Sequence, residues 1–570
     1  MKISSLFFLN LFFFLNYPLK VKSIRNNIKY SSNLKENNAF DEESSEINSK
    51  FYNNTIELDS NYIITKISWI KRENYKFNYF LGVFEGANDP HFKDAIPIGI
   101  IKEKESLGLI NYLNIDTNNT YKYIRYIPPN KNNSDISPIK IYGYKIPKEK
   151  NYSKEKKYFQ ATNLPLISIY TENSTEIFEK SIQINCRILI VNGGKIETNE
   201  TAKIKVKDET RAYLSPKFPY SINFSSNQRI LGFKSEYRNW ELISNYFDRS
   251  LLRNSIALKI SELMKFDYTV RCKPVDIIIN GNFKGNYYIC DPIEVGYNRV
   301  NISKEAYENN LNEYESDNNR GYLLEIDAEY YNGKKHFKSN KGIYTKIVYP
   351  KEDNITPEQE THIIEKFNKI EKEAYEGNLD NIDLNSYSKQ FLLKEFCGDL
   401  AHLYKNYYIT NNENDEKFFF GPVWEFETAF DNDKTLIPTN EKPSFCFDYY
   451  SSSGTMKYLT TKLIRNKDVI EYIQNEWDYL CDTVLKESIL IDFIEEQRIY
   501  LKESAEMNFL KWDNFVEEYD PYGFNWGTRD YLFGRKGENF ETSVDVVKDY
   551  IRKRFGSLSN LINNAISLAN

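Results

Sequence analysis

The sequence predicts an α+β protein: an N-terminal β-sandwich of jelly-roll type, followed by a longer α+β domain whose C-terminal part is helical. Three observations predict it. From about 59 to 147, short runs such as Tyr62-Ile63-Ile64-Thr65-Lys66-Ile67-Ser68-Trp69-Ile70 and Pro138-Ile139-Lys140-Ile141-Tyr142-Gly143-Tyr144 follow one another between turn signals, without helical periodicity. From 160 to about 224, Leu164 to Tyr170, Cys186 to Val191 and Ala202 to Val206 continue the strand pattern. Beyond residue 356 the apolar residues recur mainly at helical spacing.

The N-terminus reads as an address. Met1-Lys2 precedes a largely apolar run from Leu6 to Leu15, then Tyr17-Pro18 and a polar exit near Val21-Lys22-Ser23. A short basic start and an apolar core of about ten residues fit a secretory signal peptide over 1–23. The run is too short to span a bilayer, and no later segment approaches eighteen apolar residues. The expected location is therefore extracellular or at the cell surface, with no transmembrane segment. Nine Asn-x-Ser/Thr sequons, among them Asn118, Asn199 and Asn354, agree with a secretory route. Residues 24–58 are polar and of low complexity, a flexible lead-in to a sandwich over 59–150.

Length and charge bound the rest. A chain of 570 residues accommodates two to four domains. Its net charge of −6 is small and spread out, and no Lys/Arg-rich run is present, which argues against a nucleic-acid partner. Six cysteines are sparse for a secreted chain of this length. Cys272 and Cys290 flank a hairpin about the turn Asn280-Gly281, and counting outward from that turn leaves them nearly opposite each other. A disulfide between them is one expectation; the partners of Cys186, Cys397, Cys446 and Cys481 stay open. With four histidines, no CxxC and no HExxH, a zinc site is not expected.

Two helix starts are legible. Asp248 stands at an N-cap position before Leu252, Ile256, Ile260 and Leu263, which predicts a packing helix over Phe247 to Lys265. Thr356-Pro357-Glu358-Gln359 is a capping box with proline at the first helical position, opening a helix with Ile363, Phe367, Ile370 and Ala374 on one stripe. A second helix carries Phe391, Leu392, Phe396 and Leu400. Helical pattern returns from about 466 to 512 and from 544 to 568.

The chemistry concentrates after that second helix. Tyr407-Tyr408, a polar hairpin over Asn411 to Glu416, and the run Phe418 to Glu427 read as two strands. Side chains two apart on a strand share a face, so Glu425 and Glu427 are expected to point the same way. Asp399 and Asn406 lie just before the hairpin. Carboxylates and an amide oxygen converging in one place suit a Mg²⁺–phosphate site, because that cation takes hard oxygen ligands. Glu325 and Asp327 form a second same-face pair. The alternative is a polar sheet edge with solvated glutamates.

The block Glu395-Phe396-Cys397-Gly398-Asp399, then Lys405-Asn406-Tyr407-Tyr408, then Gly421-Pro422-Val423-Trp424-Glu425-Phe426-Glu427 resembles the central signature of the spore coat protein H (CotH) kinase-like family. Further matches are Asn163-Leu164-Pro165-Leu166-Ile167, Arg238-Asn239-Trp240-Glu241-Leu242, Cys290 to Val295 and Gly321 to Asp327, so the resemblance covers 160–565. It implies an atypical protein-kinase-like fold and a site for ATP with Mg²⁺ or Mn²⁺. On it, Asp399 is the catalytic base or a metal ligand, and Asn406, Glu425 and Glu427 hold the metal. Lys217, Lys346 and Glu325 lie on the nucleotide side, Lys217 as the phosphate cation. Two departures stand out. Both aspartates of the family's Trp-Asp-Phe-Asp strand are glutamates here, and the family's Arg-Gly-Asn-Ser-type turn is Lys207-Asp208-Glu209-Thr210, without glycine. The resemblance thus implies either a kinase acting on secreted or cell-wall proteins, or a catalytically degenerate coat or adhesion protein. Separately, Tyr121 to Pro129 with Ile136 to Gly143 resembles the last two strands of a discoidin-like, galactose-binding-type jelly roll, which implies carbohydrate as a partner; a sandwich that only packs is the alternative.

Overall fold

The computed structural model describes residues 45–47, 49–52, 55–71, 79–102, 110–129, 136–145, 155–207, 215–234, 236–302, 321–328, 335–399, 405–432, 444–449, 455–512 and 539–569. The expected signal peptide, most of the lead-in, the turn residues Asp208-Glu209-Thr210 and Leu400 lie outside them. No helix among the described residues is long and apolar enough to cross a membrane.

The first part is built from β1 (Ser45–Glu46), β2 (Ser49–Tyr52), β3 (Thr55–Lys71), β4 (Val83–Ala87), β5 (Ile96–Ile100), β6 (Ile110–Asn114), β7 (Thr120–Ile127) and β8 (Ile136–Tyr144). β3 is the long strand on which the eight-stranded sheet is built. Its first half pairs with β2 and β7, and its second half, Lys66 to Ile70, runs between β6 and β8. The register shift between Glu57 and Tyr62 marks the corner, where a bulge bends the strand. The two halves enclose Ile56, Ile64, Ile67, Trp69, Phe84, Ile124 and Ile141, as the expected sandwich requires. The lead-in ends earlier than residue 58: Ser49 to Tyr52 already pairs with Thr55 to Leu58.

The next strands close on themselves, which period-2 patterning cannot reveal. β9 (Leu166–Thr171), β10 (Ile184–Asn192), β11 (Lys195–Val206), β12 (Tyr220–Gln228), β13 (Tyr237–Ile243), β14 (Cys272–Ile279) and β15 (Asn282–Cys290) form a barrel in the order β10-β11-β12-β13-β15-β14-β9. The parallel pairing of β14 with β9 completes it. Cys272 and Cys290 face each other in the β14–β15 register and are disulfide-bonded. Between β13 and β14 lies α1 (Arg253–Leu263), six residues shorter at its start than expected. Asp248 is not its N-cap. Its buried carboxylate instead accepts from the backbone N–H of Ser250 and, at 2.8 Å, of Arg253, and pairs with the Arg253 guanidinium.

A second sheet follows, ordered β17-β18-β16-β19-β20. It comprises β16 (Tyr322–Ile326), β17 (His336–Lys338), β18 (Tyr344–Tyr349), β19 (Tyr407–Asn411) and β20 (Phe419–Val423), interrupted by α2 (Pro357–Glu376) and α3 (Leu384–Cys397). The capping box at Thr356 and Gln359 forms in full, and Ile363, Phe367, Ile370 and Ala374 are all buried. α4 (Lys457–Ile464), α5 (Lys467–Thr483), α6 (Glu487–Lys511) and α7 (Phe540–Ala569) complete the chain, and their apolar faces share one core with α1, α2 and α3. β20 ends at Val423, so Glu425 and Glu427 are not on a strand and the two-residue alternation does not govern them.

The sandwich is docked on the barrel. Phe80, Leu81, Val83 and Ile100 pack with Leu166, Leu189, Ile278 and Phe283 of the barrel and with Met507 of α6. The Asn280-Gly281 turn presses into this junction. Gly281 has φ +73°, and a Cβ there would stand 1.9 Å from Ile127 Cδ1 and 3.2 Å from Glu85 Oε1. Gly281→Val combines a left-handed backbone with overpacking and should cost about 2–4 kcal/mol. Urea unfolding should show that loss, together with faster proteolysis between sandwich and barrel; unchanged stability and cleavage would mean that the two do not pack here.

Candidate functional site

The site forms where the barrel meets the second sheet. Lys207 follows the end of β11, and Glu241 lies on β13. Tyr407 pairs with Val423, which sets Asn406, before β19, beside Trp424, after β20. The chain beyond β20 is fastened by the start of α1. The Phe426 N–H donates to Asn254 Oδ1 at 2.7 Å, and Arg253 Nε donates to the Ala429 carbonyl at 3.0 Å. Asn432 Nδ2 reaches the carbonyls of Glu427 (2.6 Å) and Phe247 (2.8 Å). This buried anchoring holds an unusual backbone: Asn406, Glu425, Phe430 and Asp431 all have φ between 53 and 56°. Left-handed non-glycine residues cost free energy and persist where surroundings over-determine them, typically at functional sites.

Lys207 is the centre of the cluster. Its Nζ lies 2.7 Å from Glu425 Oε1 and 3.6 Å from Glu241 Oε2, and 5.3 Å from the Trp424 ring centroid. Asn406 Nδ2 donates to the other oxygen, Glu425 Oε2, at 2.8 Å. Burial pushes the Glu241 carboxyl above its ordinary range, Lys207 pulling the other way and Glu425 reinforcing the rise. Glu325 stands alongside: it accepts from Tyr408 Oη at 3.2 Å, and Lys346 Nζ is 3.9 Å away. Burial raises Glu325 as well.

A small cavity of about 40 Å³ opens on the side of Asn406 and Glu425, lined also by Ser215, Ser244, Lys405 and Glu427. The structure thus brings together Asn406, Glu425 and Glu427 of the expected residues, with Glu325 and Lys346 beside them through Tyr408. Lys217 and Asp399 do not line the cavity. The Lys217 ammonium is buried and gives its three N–H groups to the Ser244 and Asn286 carbonyls and to Asn508 Oδ1 on α6, over the Tyr287 ring. A lysine ammonium has three donors, so none remains for a phosphate. Asp399 is buried with its Oδ2 2.7 Å from Lys394 Nζ, so its carboxylate is already paired. Lys207, Glu241 and Lys405 were missed as site residues. The signal for the first two was present, because Lys207 opens the glycine-less turn and Glu241 sits in the Arg238-Asn239-Trp240-Glu241 block.

Residues 207–558, more than half of the chain, match the family model described as CotH kinase protein. The chain belongs to the CotH kinase family. Among solved structures, the carbohydrate-binding module CBM62 from Clostridium thermocellum Xyl5A is similar at 27% identity, covering 16% of this chain and 67% of that one; the TM-score of 0.15 is too low to carry an inference. No curated protein matches the chain.

A CotH-type reading implies a divalent cation, which the described residues do not fit as arranged. Among them no group of three or more His, Cys, Asp or Glu side chains could hold a metal ion. Mg²⁺ needs oxygen ligands in a near-octahedral shell. Here both Glu425 oxygens accept N–H groups, and Asn406 turns its amide N–H, not its oxygen, toward that carboxylate.

The buried lysine behind the cavity predicts a pH dependence. Burial pushes Lys217 down to about 7, against the pull of Glu427 and Asp276. An unfolded lysine titrates near ~10.4, so between these values the unfolded chain holds the extra proton and stability rises with pH. Measured by urea unfolding, the stability of the wild type relative to Lys217→Met should climb across pH 7–10, by at most about 1.4 kcal/mol per unit. A flat difference would show that Lys217 titrates as an ordinary lysine.

Proposed function

We propose that this CotH-family chain is a secreted protein whose kinase-like site has closed on its own lysine, leaving a scaffold that acts at the cell surface or wall through its sandwich. The Lys207–Glu425 ion pair carries the reading. In a working kinase site, the lysine is held by its own glutamate while the metal-side carboxylate is left to Mg²⁺. Here Lys207 lies nearer Glu425, the residue that the family signature puts on the metal side, than Glu241. The longer glutamate arm and the glycine-less turn at 207–210 support the same conclusion, and the signal-type N-terminus supports secretion.

A second reading rests on a separate observation: Lys405, Asn406, Glu425 and Glu427 do share one cavity. On it the protein is an active phosphotransferase using ATP with Mg²⁺ or Mn²⁺ on hydroxyls of secreted or cell-wall proteins. A thermal-shift titration of the secreted, deglycosylated full chain with ATP plus Mg²⁺, and with ATP plus Mn²⁺, separates the two. A ligand at a hundredfold excess over its Kd stabilises the native state by about 2.7 kcal/mol, a readable shift. We expect no saturable shift up to millimolar nucleotide. A saturable shift that Glu427→Ala abolishes would overturn the closed-site reading and establish the second.

A further inference from the structure

The sandwich carries an outward face that its own packing does not explain. Along the second half of β3, Ile67 and Trp69 turn into the core, and Ile141 of β8 meets them there. By alternation, Lys66 and Ser68 face outward. The register sets Lys66 between Asn114 of β6 and Tyr142 of β8, and Ser68 between Tyr112 and Lys140. Tyr112 is 58% exposed, so its ring is not held by any core. Ser68, although outward-facing, is buried, so it forms the floor of a shallow trough between larger side chains. Lys66 Nζ hangs between two aromatic rings, 4.3 Å from the Tyr142 centroid and 5.4 Å from that of Tyr112. Three other lysines of the sandwich are matched to carboxylates, Lys140 to Glu46, Lys145 to Asp59 and Lys122 to Glu57. Among the described residues, no carboxylate lies within ion-pairing distance of Lys66.

We propose that the β6–β3–β8 face binds an acidic polysaccharide, with sugar rings on Tyr112 and Tyr142 and a carboxylate or sulfate group on Lys66. An aromatic face is electron-rich and attracts the slightly positive C–H groups of a pyranose ring, while the phenol hydroxyls offer hydrogen bonds to sugar hydroxyls. Lysine between the rings supplies an anion partner whose charge stays near the surface. The two rings are close enough for one oligosaccharide to touch both. A protein partner would call for an apolar, concave anchor site, and the trough floor here is a serine. Nucleic acid is disfavoured by the chain's net charge of −6. The inference rests on the sandwich being the binding part of the protein, but not on the state of the kinase-like site.

Affinity electrophoresis of the full chain tests it, with polygalacturonate as the carboxylate probe, dextran sulfate as the sulfate probe and dextran as the neutral control. Tyr112→Ala and Lys66→Met are compared with wild type, and Lys203→Met, an exposed lysine on the barrel, serves as the charge control. The expected result is retardation of the wild type by at least one acidic polymer, and little by dextran. Tyr112→Ala should weaken that retardation about tenfold and Lys66→Met at least several-fold, with Lys203→Met unchanged and all melting temperatures alike. Which acidic polymer retards the protein decides between uronate and sulfate. No retardation by either polymer would overturn the proposal, as would equal losses in Lys66→Met and Lys203→Met, or binding indifferent to Tyr112. None of these outcomes depends on nucleotide, so failure here leaves the closed-site reading standing or falling by its own titration.

Discussion

The ion pair between Lys207 and Glu425 joins two parts of the molecule that no strand pairing connects at this point: the open end of the barrel and the exit of the second sheet. Both groups are mostly withdrawn from water, their side chains 11% and 23% exposed. Removing two ions from water costs several kcal/mol each, and only good geometry with further hydrogen bonds offsets it. The offset is visible. Asn406 satisfies the second Glu425 oxygen, Glu241 stands on the far side of the ammonium, and Trp424 offers its ring. Taking away one partner would strand the other charge, a cost of about 3–5 kcal/mol in such settings. The left-handed backbone at Glu425 and Asn406 is tolerable because the segment is bolted to Asn254 and Arg253, which are themselves held by Asn245 and Asp248.

This arrangement gives a physical content to the two glutamates that stand where the family has aspartate. One more methylene extends the reach of a carboxylate, and at position 425 that reach ends on a lysine. The buried Lys217 adds to the same picture from behind. Its three acceptors tie the barrel wall to α6, and α6 also meets the sandwich through Met507 and the Lys102–Glu503 pair. The kinase-like part and the sandwich are therefore parts of one packed body rather than beads on a string.

Much of the fold was legible because its signals are local. The capping box at Thr356, the Asn280-Gly281 turn with its flanking cysteines, and the stripe on α2 each follow from residues within a few turns of one another. The sandwich was legible from alternation, although not the double duty of β3, whose corner depends on which strands arrive on either side. Closure of the barrel was hidden, since the pairing of β14 with β9 joins segments about a hundred residues apart. The site was half legible. Motif order gave Asn406, Glu425 and Glu427, but a strand was assumed to carry the last two, and the chain leaves the sheet at Val423. Lys217 came from its place in the family's motif, and sequence shows that a lysine is present and not which way it turns. Burial decided it: one ammonium is consumed by the barrel wall and the other faces the carboxylates.

A double-mutant cycle on Lys207→Met and Glu425→Gln, read by urea unfolding of the full chain, tests the central claim most directly. If the two side chains are each other's principal partners, the cycle should return a coupling of about 1.5–3 kcal/mol, and the double variant should be more stable than the sum of the single losses predicts. A coupling below about 0.5 kcal/mol would mean that the two act independently, and the site would then not be closed by its own lysine.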